Sequence, residues 1–346
     1  MAAIQYTDRG AAVRVAPAGR LLTGAVLAAL DAPSVLNTQP WQWRIDGDRA
    51  ELRADRRRQL PAIDPDGRLM TLSCGVALHH ARVALAADGA QAEVTYLPDP
   101  DDPDLLATLR YTGRAERAPH VQRLRRAISV RRTDRRPFAD VPVPPDALDR
   151  LAAAAAAAGA HLHLVRPQDL TGVAVAAGHA AGVERSDPAY RADLAAWVHS
   201  DDGSGTGVPP ATTVPSGART VPIRNFTGGD ENASIYSGAE VADRHARYGV
   251  VVTGGDEPRD WLAAGEALSA VLLTATADGL ATSPMSDLVE IIAAREALRR
   301  TLGNVGHPAI VVRVGVAGRG ATGPRAPRRG AETAVELVAE RVPERP

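Results

Sequence analysis

The chain has 346 residues, more than one ordinary domain, so two domains or one duplicated unit are expected. Its 40 basic and 41 acidic residues leave a formal charge of -1, which gives no global field to draw nucleic acid or an anionic membrane. Every basic residue is arginine and none is lysine. That excludes a pyridoxal-phosphate Schiff base, a Schiff-base aldolase and a lysine-bearing P-loop, so any bound phosphate must be held by arginine, hydroxyls or backbone amides.

A single cysteine, Cys74, permits neither an internal disulfide nor a cysteine-rich metal site, which fits a reducing compartment and makes the cytoplasm the expected location. The opening MAAIQYTDRG lacks a basic region followed by an apolar run, and no stretch approaches roughly 18 uninterrupted apolar residues. We read a chain that is neither exported nor membrane-spanning.

Residues 21–32 carry apolar side chains at helical spacing and stop at Pro33, which disfavours helix in the residue before it. Alternation on either side of Asp46-Gly47 predicts a hairpin. From Thr71 to Asp88 an Ala- and Leu-rich segment, apolar on more than one face and stopped by Gly89, predicts a buried helix, with AEVTYLP as the strand after it. An Asp/Pro-rich turn at 98–104 closes that strand.

A basic helix within 121–159, a break at Pro142–Pro145, an alanine helix from Ala147 to Ala158 and the strand HLHLV follow. A helical stretch around 169–198 gives way to a segment too rich in Gly, Pro, Ser and Thr for regular structure; a loop of that length is usually a lid or a linker. YGVVVT then reads as a strand, 261–280 as a second buried helix ending at Gly279, and 309–316 as another strand. The order helix, Asp-Gly stop, strand thus occurs twice, which suggests an internal duplication.

Several residues have ordinary explanations. Cys74 sits in a buried-looking helix and reads as core packing. His79 and His80 are adjacent and so face different ways, while His161 and His163 share a strand face without an evident third metal ligand. GVAGRGATG at 315–323 follows a strand but leads to Pro324 and no helix, so it is read as a connector, and DPDDPD at 99–104 lacks the spacing of a calcium loop. No metal site is expected.

Two segments carry more. Alone, NTQPWQW could be a turn before a strand with a buried Trp, and RRTDRR could be a solvated charged face. Together, DAPSVLNTQPWQW at 31–43 resembles the Pro-Ser-x-x-Asn-x-Gln-Pro-Trp segment of FMN-dependent nitroreductases, and RRTDRRPF at 131–138 resembles that family's Arg-Arg-Ser segment. Ordinary members have these segments in the opposite order, one helix apart. The reversal implies a fused pseudo-dimer that keeps one complete site, an arrangement similar to the Acg-type nitroreductase-like proteins of actinobacteria.

The resemblance implies an α+β nitroreductase fold with halves at 1–118 and 119–346 and a lid loop at 199–236. It implies one FMN, with Arg131, Arg132 and Thr133 at the phosphate and Arg135 near N1 and O2 of the ring, where a cation would stabilise the reduced anion. Ser34, Asn37 and Gln39 would line the flavin, with Trp41 anchoring their loop in the core. GLATSPMSDL at 279–288 resembles the family's Gly-Leu-x-x-x-Pro segment, which puts Pro284 and Met285 beside the ring and the Ser286 amide at N5.

GPRAPRRG resembles the closing basic segment, making Arg325 and Arg328 a second phosphate clamp. The chain departs from the pattern with Thr at 133, Val at 35 and Ser in place of glutamate at 286. The implied activity is NAD(P)H-dependent two-electron transfer through flavin N5 to a small-molecule acceptor, with no catalytic side chain demanded. The alternative is an FMN-sequestering protein whose lid prevents turnover. Neither nucleic acid nor membrane is an expected partner, and either a monomer or a homodimer fits.

Overall fold

Two helices of 20 residues each, α2 (Arg68–Ala87) and α7 (Pro258–Ala277), cross where each carries a glycine. A Cβ on Gly75 would collide with the Leu262 carbonyl oxygen, and one on Gly265 with that of Leu72. Only glycine permits this backbone-to-backbone approach. The structure is a computed structural model that describes residues 16–198, 203–213, 219–226, 243–318, 323 and 325–338.

Local chemistry fixes both helices. The buried Asp64 carboxylate accepts from the Leu69 and Met70 amides at 3.1 and 2.8 Å and so caps α2, while Glu257 and Asp260 form a capping box at the start of α7. Both end at Asp-Gly, and Gly89 and Gly279 take φ of 70° and 76°, left-handed values that release the chain into the next strand. Among the described residues α2 alone is long and apolar enough to cross a membrane, yet 83% of its most apolar window is buried inside the protein.

A sheet lies on either side of the helix pair. The first has the order β3 (Ala90–Tyr96), β4 (Leu105–Arg114), β2 (Arg49–Ala54), β1 (Trp41–Asp46), β9 (Val335–Leu337). The second has the order β5 (His161–Leu164), β6 (Arg247–Thr253), β8 (His307–Val316), β7 (Leu280–Met285). All pairings are antiparallel except β1 with β9, by which the C-terminal segment crosses back to the first sheet. One core joins the two sides: Trp41, Trp43 and Leu52 pack with α2 and α7 and with Ile310, Val312 and Val314.

Among the described residues the remaining helices are α1 (Pro17–Ala29), α3 (Pro119–Val130), α4 (Pro145–Ala157), α5 (Leu170–Ser186), α6 (Pro188–Trp197) and α8 (Ile292–Thr301), with a helical turn at Asp287–Glu290. The expected helices and hairpin are present. Asp187 divides the 169–198 stretch, its carboxylate accepting from the amides of Ala189 and Tyr190 to start α6 after Pro188. Sequence patterning missed β4, β7 and β9. β4 is buried through Leu109 and exposed in alternation only afterwards, and β7 carries Pro284, so neither shows a clean period of two.

Of loop 199–236, residues 203–213 and 219–226 are described, and the rest lies outside the described residues, as do MAAIQYTDRG and residues 319–322 of the 315–323 connector. Because the α2–α7 contact leaves no room for a methyl group, Gly265→Ala should cost roughly 1–3 kcal/mol or more through overpacking. Chemical denaturation of the variant checks this, with Gly178→Ala, where nothing lies within 4 Å of an added Cβ, as the control.

Candidate functional site

Between α1 and β1 the chain makes a loop in which three residues other than glycine have left-handed backbone: Leu36 at φ 43°, Asn37 at 56° and Gln39 at 50°. Such conformations cost on the order of 1–3 kcal/mol each and persist only where the surroundings over-determine them. Here the surroundings come from four directions. The Val35 amide donates to Ser73 Oγ on α2 at 3.1 Å, and the Gln39 amide donates to Ser34 Oγ at 2.8 Å. Asn37 Nδ2 donates to the carbonyls of Gly207 and Pro327 at 3.0 and 3.2 Å.

Gln39 is fully committed. Its Nε2 donates to the Gly205 carbonyl at 2.7 Å, and its Oε1 accepts from the Arg329 amide at 3.0 Å. Arg329 in turn donates through Nη1 to the Gln39 and Trp41 carbonyls at 2.8 and 3.4 Å. Trp41 is completely buried at the start of β1.

The second segment, after α3, is fastened to β7. Thr133 bridges Thr282 in parallel, and the Asp134 amide donates to the Thr282 carbonyl at 2.9 Å. The strained loop, the 131–138 segment, the end of β7 and the 325–328 segment therefore converge, although they are far apart in the chain.

Two adjoining cavities lie where they meet, sharing Pro33, Ser34, Leu36, Thr133 and Arg135 as walls. The larger, of about 810 Å³, has apolar faces built from Leu69, Leu72 and Val76 of α2, Leu268 of α7, Met285, Ile310, Ile223 and Phe226. Its polar edge carries Ser73, Thr133, Arg135, Ser283, Ser286 and Asp287. The smaller, of about 610 Å³, is cationic, with Arg131, Arg132, Arg135, Arg325 and Arg328 in its wall and Asp31 as the one carboxylate among its described lining residues.

That charge imbalance is visible in the titration of the arginines. Burial lowers Arg131 to about 9, with Arg328, Arg132 and Arg325 adding to the shift and Asp31 opposing it. Burial likewise lowers Arg328 to about 10, against the pull of Asp31. Arg325 and Asp31 form an ion pair, so Arg131 and Arg328 carry the surplus, and each has a buried Nε with no hydrogen-bond partner. Buried guanidinium groups of this kind call for an anion.

The comparisons agree in one direction. The Nitroreductase family model matches residues 128–316. A Mycobacterium tuberculosis protein named "Putative NAD(P)H nitroreductase" is 39% identical over 327 residues, covering 90% of each chain. This chain belongs to the nitroreductase family.

The M. tuberculosis protein named "Putative NAD(P)H nitroreductase acg" is 33% identical, over 86% of this chain and 89% of its own. Among solved structures, the FMN-dependent nitroreductase NfnB of Mycobacterium smegmatis, in complex with NADPH, is similar at 18% identity and a TM-score of 0.42, over 62% of this chain and 97% of that one.

Within this nitroreductase-family chain, Ser34, Thr133 and Arg135 line both cavities, Pro284, Met285 and Ser286 the larger, and Asn37, Arg131, Arg132, Arg325 and Arg328 the smaller. Gln39 is a correction: it lines neither, because its amide is spent on the Gly205 carbonyl and the Arg329 amide. Asn37 reaches the smaller cavity while its side chain also holds Gly207, Pro327 and Arg328. The third arginine of the basic run, Arg329, turns away to bind backbone carbonyls.

Sequence reasoning missed Ser73, Ile223, Arg224, Phe226 and Asp287. The only signal for the middle three was the appearance of large side chains, IRNF, at the end of a stretch of small ones. Arg224 is buried between Glu184 of α5 and Glu290, and its Nη2 also donates to the Tyr190 hydroxyl of α6 at 2.8 Å. Since Gln39 serves the loop, Gln39→Ala should destabilise the protein by roughly 1–3 kcal/mol by leaving the Gly205 carbonyl and the Arg329 amide without partners. A fall in the denaturation midpoint at unchanged slope would show it.

Proposed function

We propose that this chain binds one FMN across the two joined cavities and works as an NAD(P)H-dependent oxidoreductase toward a small-molecule acceptor. The observation that carries this is the pairing of an apolar, polar-edged cavity with a cationic one whose buried arginines lack a counter-anion. The first suits a flat heteroaromatic ring and the second a phosphate. When bound, FMN supplies two-electron storage, taking hydride at N5 from a reduced nicotinamide and passing it on.

The residues then have distinct tasks. Arg131 and Arg328 would hold the phosphate as charged donors, with Arg132, Arg325 and the Thr133 hydroxyl beside them. Arg135, half-buried and lowered to about 10 by desolvation, Arg224 and Arg313, keeps a cation at the shared wall, where it would favour the reduced ring. Ser34 and Ser286 would offer donors at the ring edge, and Pro284, Met285, Leu72 and Val76 would exclude water from its faces.

The reading extends to architecture: two nitroreductase-like halves, meeting near residue 118, fused so that one site survives. The helix-stop-strand order repeated at α2–β3 and α7–β7 supports it. We propose that such a fused chain needs no partner subunit to complete its site, with the cytoplasm as its setting.

One observation favours the sequestration reading as well. Ile223, Arg224 and Phe226 wall the larger cavity, and Arg224 is tied to two carboxylates, so this part of the loop could act as a fixed lid. Anaerobic mixing with NADH and NADPH decides between the two. Bleaching of the flavin spectrum in the unaltered protein supports the reductase. Bleaching only after Arg224→Ala loosens the lid supports sequestration.

A colourless protein that takes up no FMN rejects both readings. For the phosphate assignment, Arg131→Ala should weaken FMN binding by roughly 1.5–3 kcal/mol, about ten- to 150-fold in Kd. Fluorescence quenching of added FMN measures it, and equal affinity would reject the assignment.

A further inference from the structure

Two-electron reduction of a quinone consumes a proton as well as a hydride, and one group in the larger cavity is suited to supply it. The side chains that bear hydrogen there are the hydroxyls of Ser34, Ser73, Thr133, Ser283 and Ser286, the guanidiniums of Arg135 and Arg224, and the carboxyl of Asp287. Hydroxyls are too weak as acids, and both guanidiniums hold their protons near neutral pH. Asp287 is the one carboxyl among the described lining residues.

Its surroundings set it apart from the carboxylates nearby. Asp287 is 6% exposed and opens the Asp287–Glu290 turn directly after Ser286. The groups facing it are Arg224 from the 219–226 segment, Glu184 of α5, Tyr190 of α6 and Glu290 of its own turn, with Arg135 across the cavity and Asp64 beyond Glu290. Arg224 is committed elsewhere: its Nε donates to Glu184 at 2.7 Å and its Nη2 to Glu290 and to Tyr190.

Among the described residues no side chain donates a hydrogen bond to Asp287. It is thus a buried acid beside two carboxyl groups, Glu184 and Glu290, that already share the Arg224 guanidinium. Burial raises its pKa to about 7, Arg224 opposing the rise and Glu184 and Glu290 adding to it. A carboxyl poised there can give up a proton near neutral pH and regain it from water.

We propose that Asp287 is the proton donor of this site, serving acceptors of the quinone class bound in the larger cavity. The step rests on the flavin reading above. Hydride originating from reduced nicotinamide adds to one end of the conjugated dicarbonyl, and the Asp287 Oδ–H bond breaks as its proton bonds to the oxygen at the other end. The quinone gains two electrons and two hydrogens to become the hydroquinone, and the nicotinamide is oxidised by the same two electrons. The carboxylate is reprotonated by water at the cavity mouth.

The test uses the FMN-loaded full chain and a 1,4-naphthoquinone, with the two half-reactions followed separately by stopped-flow. In the unaltered protein the oxidative half-reaction should slow as pH rises through about 7, because the ionised acid has no proton to give. In Asp287→Asn it should be roughly a hundredfold slower at pH 6 and indifferent to pH over that range. A second readout does not depend on turnover: the infrared C=O band of a protonated carboxyl should titrate near neutrality and be missing from Asp287→Asn.

The proposal is overturned if the variant keeps the rate and pH slope of the unaltered protein, or if the band is unchanged by the substitution. Absence of flavin absorbance after loading with FMN would instead overturn the reading on which it rests. Asp287→Glu, which keeps the acid, should restore part of the rate and the pH slope; failure to do so while Asn and Glu variants bind FMN equally would also reject it.

Discussion

The approach of α2 to α7 at Gly75 and Gly265 is the constraint on which the site depends. Leu69, Leu72, Ser73 and Val76 reach the larger cavity from α2 and Leu268 reaches it from α7, so the separation of the two helices sets the spacing of that wall. The same contact brings two sheets onto one shared core. Interiors packed to crystal density transmit such a displacement instead of absorbing it. A side chain wedged between these backbones would therefore disturb the cavity as well as the stability of the protein.

Charge is handled in two ways in this lysine-free chain. At Asp243 a fully buried carboxylate takes both Arg219 and Arg313, and at Arg224 one guanidinium takes Glu184 and Glu290. In both places desolvation is offset by direct pairing, as a structural role requires. The Arg131–Arg328 pocket is built differently: five arginines line it against Asp31, the one carboxylate among its described lining residues, and Arg325 already engages that group. In the first two places each guanidinium meets a carboxylate directly, whereas among the described residues Arg131 and Arg328 have no side-chain carboxylate bonded to them.

Much of this was legible in the residues. The small-residue helices, their Asp-Gly stops and the hairpin at Asp46-Gly47 follow from local rules, and segments 31–43, 131–138 and 279–288 stood out as motifs. What could not be read was whatever depends on distant pairing. β9 is three residues long and exists because β1 offers an edge, and β7 reads poorly because Pro284 interrupts it. Gln39 belongs to a motif yet faces away from both cavities, since its partners, Gly205 and Arg329, lie about 170 and 290 residues further along. Sequence patterning identified the segment and could not divide its residues between lining a pocket and holding a loop.

The strained loop also bears on access. Gly205 and Gly207 supply the carbonyls that hold Gln39 and Asn37, and Gly205 lies so close to the Arg328 carbonyl that a Cβ would not fit. Moving that stretch would release two left-handed residues, Asn37 and Gln39, at once, so it belongs to the fixed frame. At the stretch Ile223–Phe226 the Arg224 side chain ties the chain to α5, α6 and the Glu290 turn. Separating Arg224 from its two carboxylates would cost several kcal/mol unless another polar group replaced them. Arg224 also lines the larger cavity, so one guanidinium both ties this stretch to its neighbours and forms part of the cavity wall.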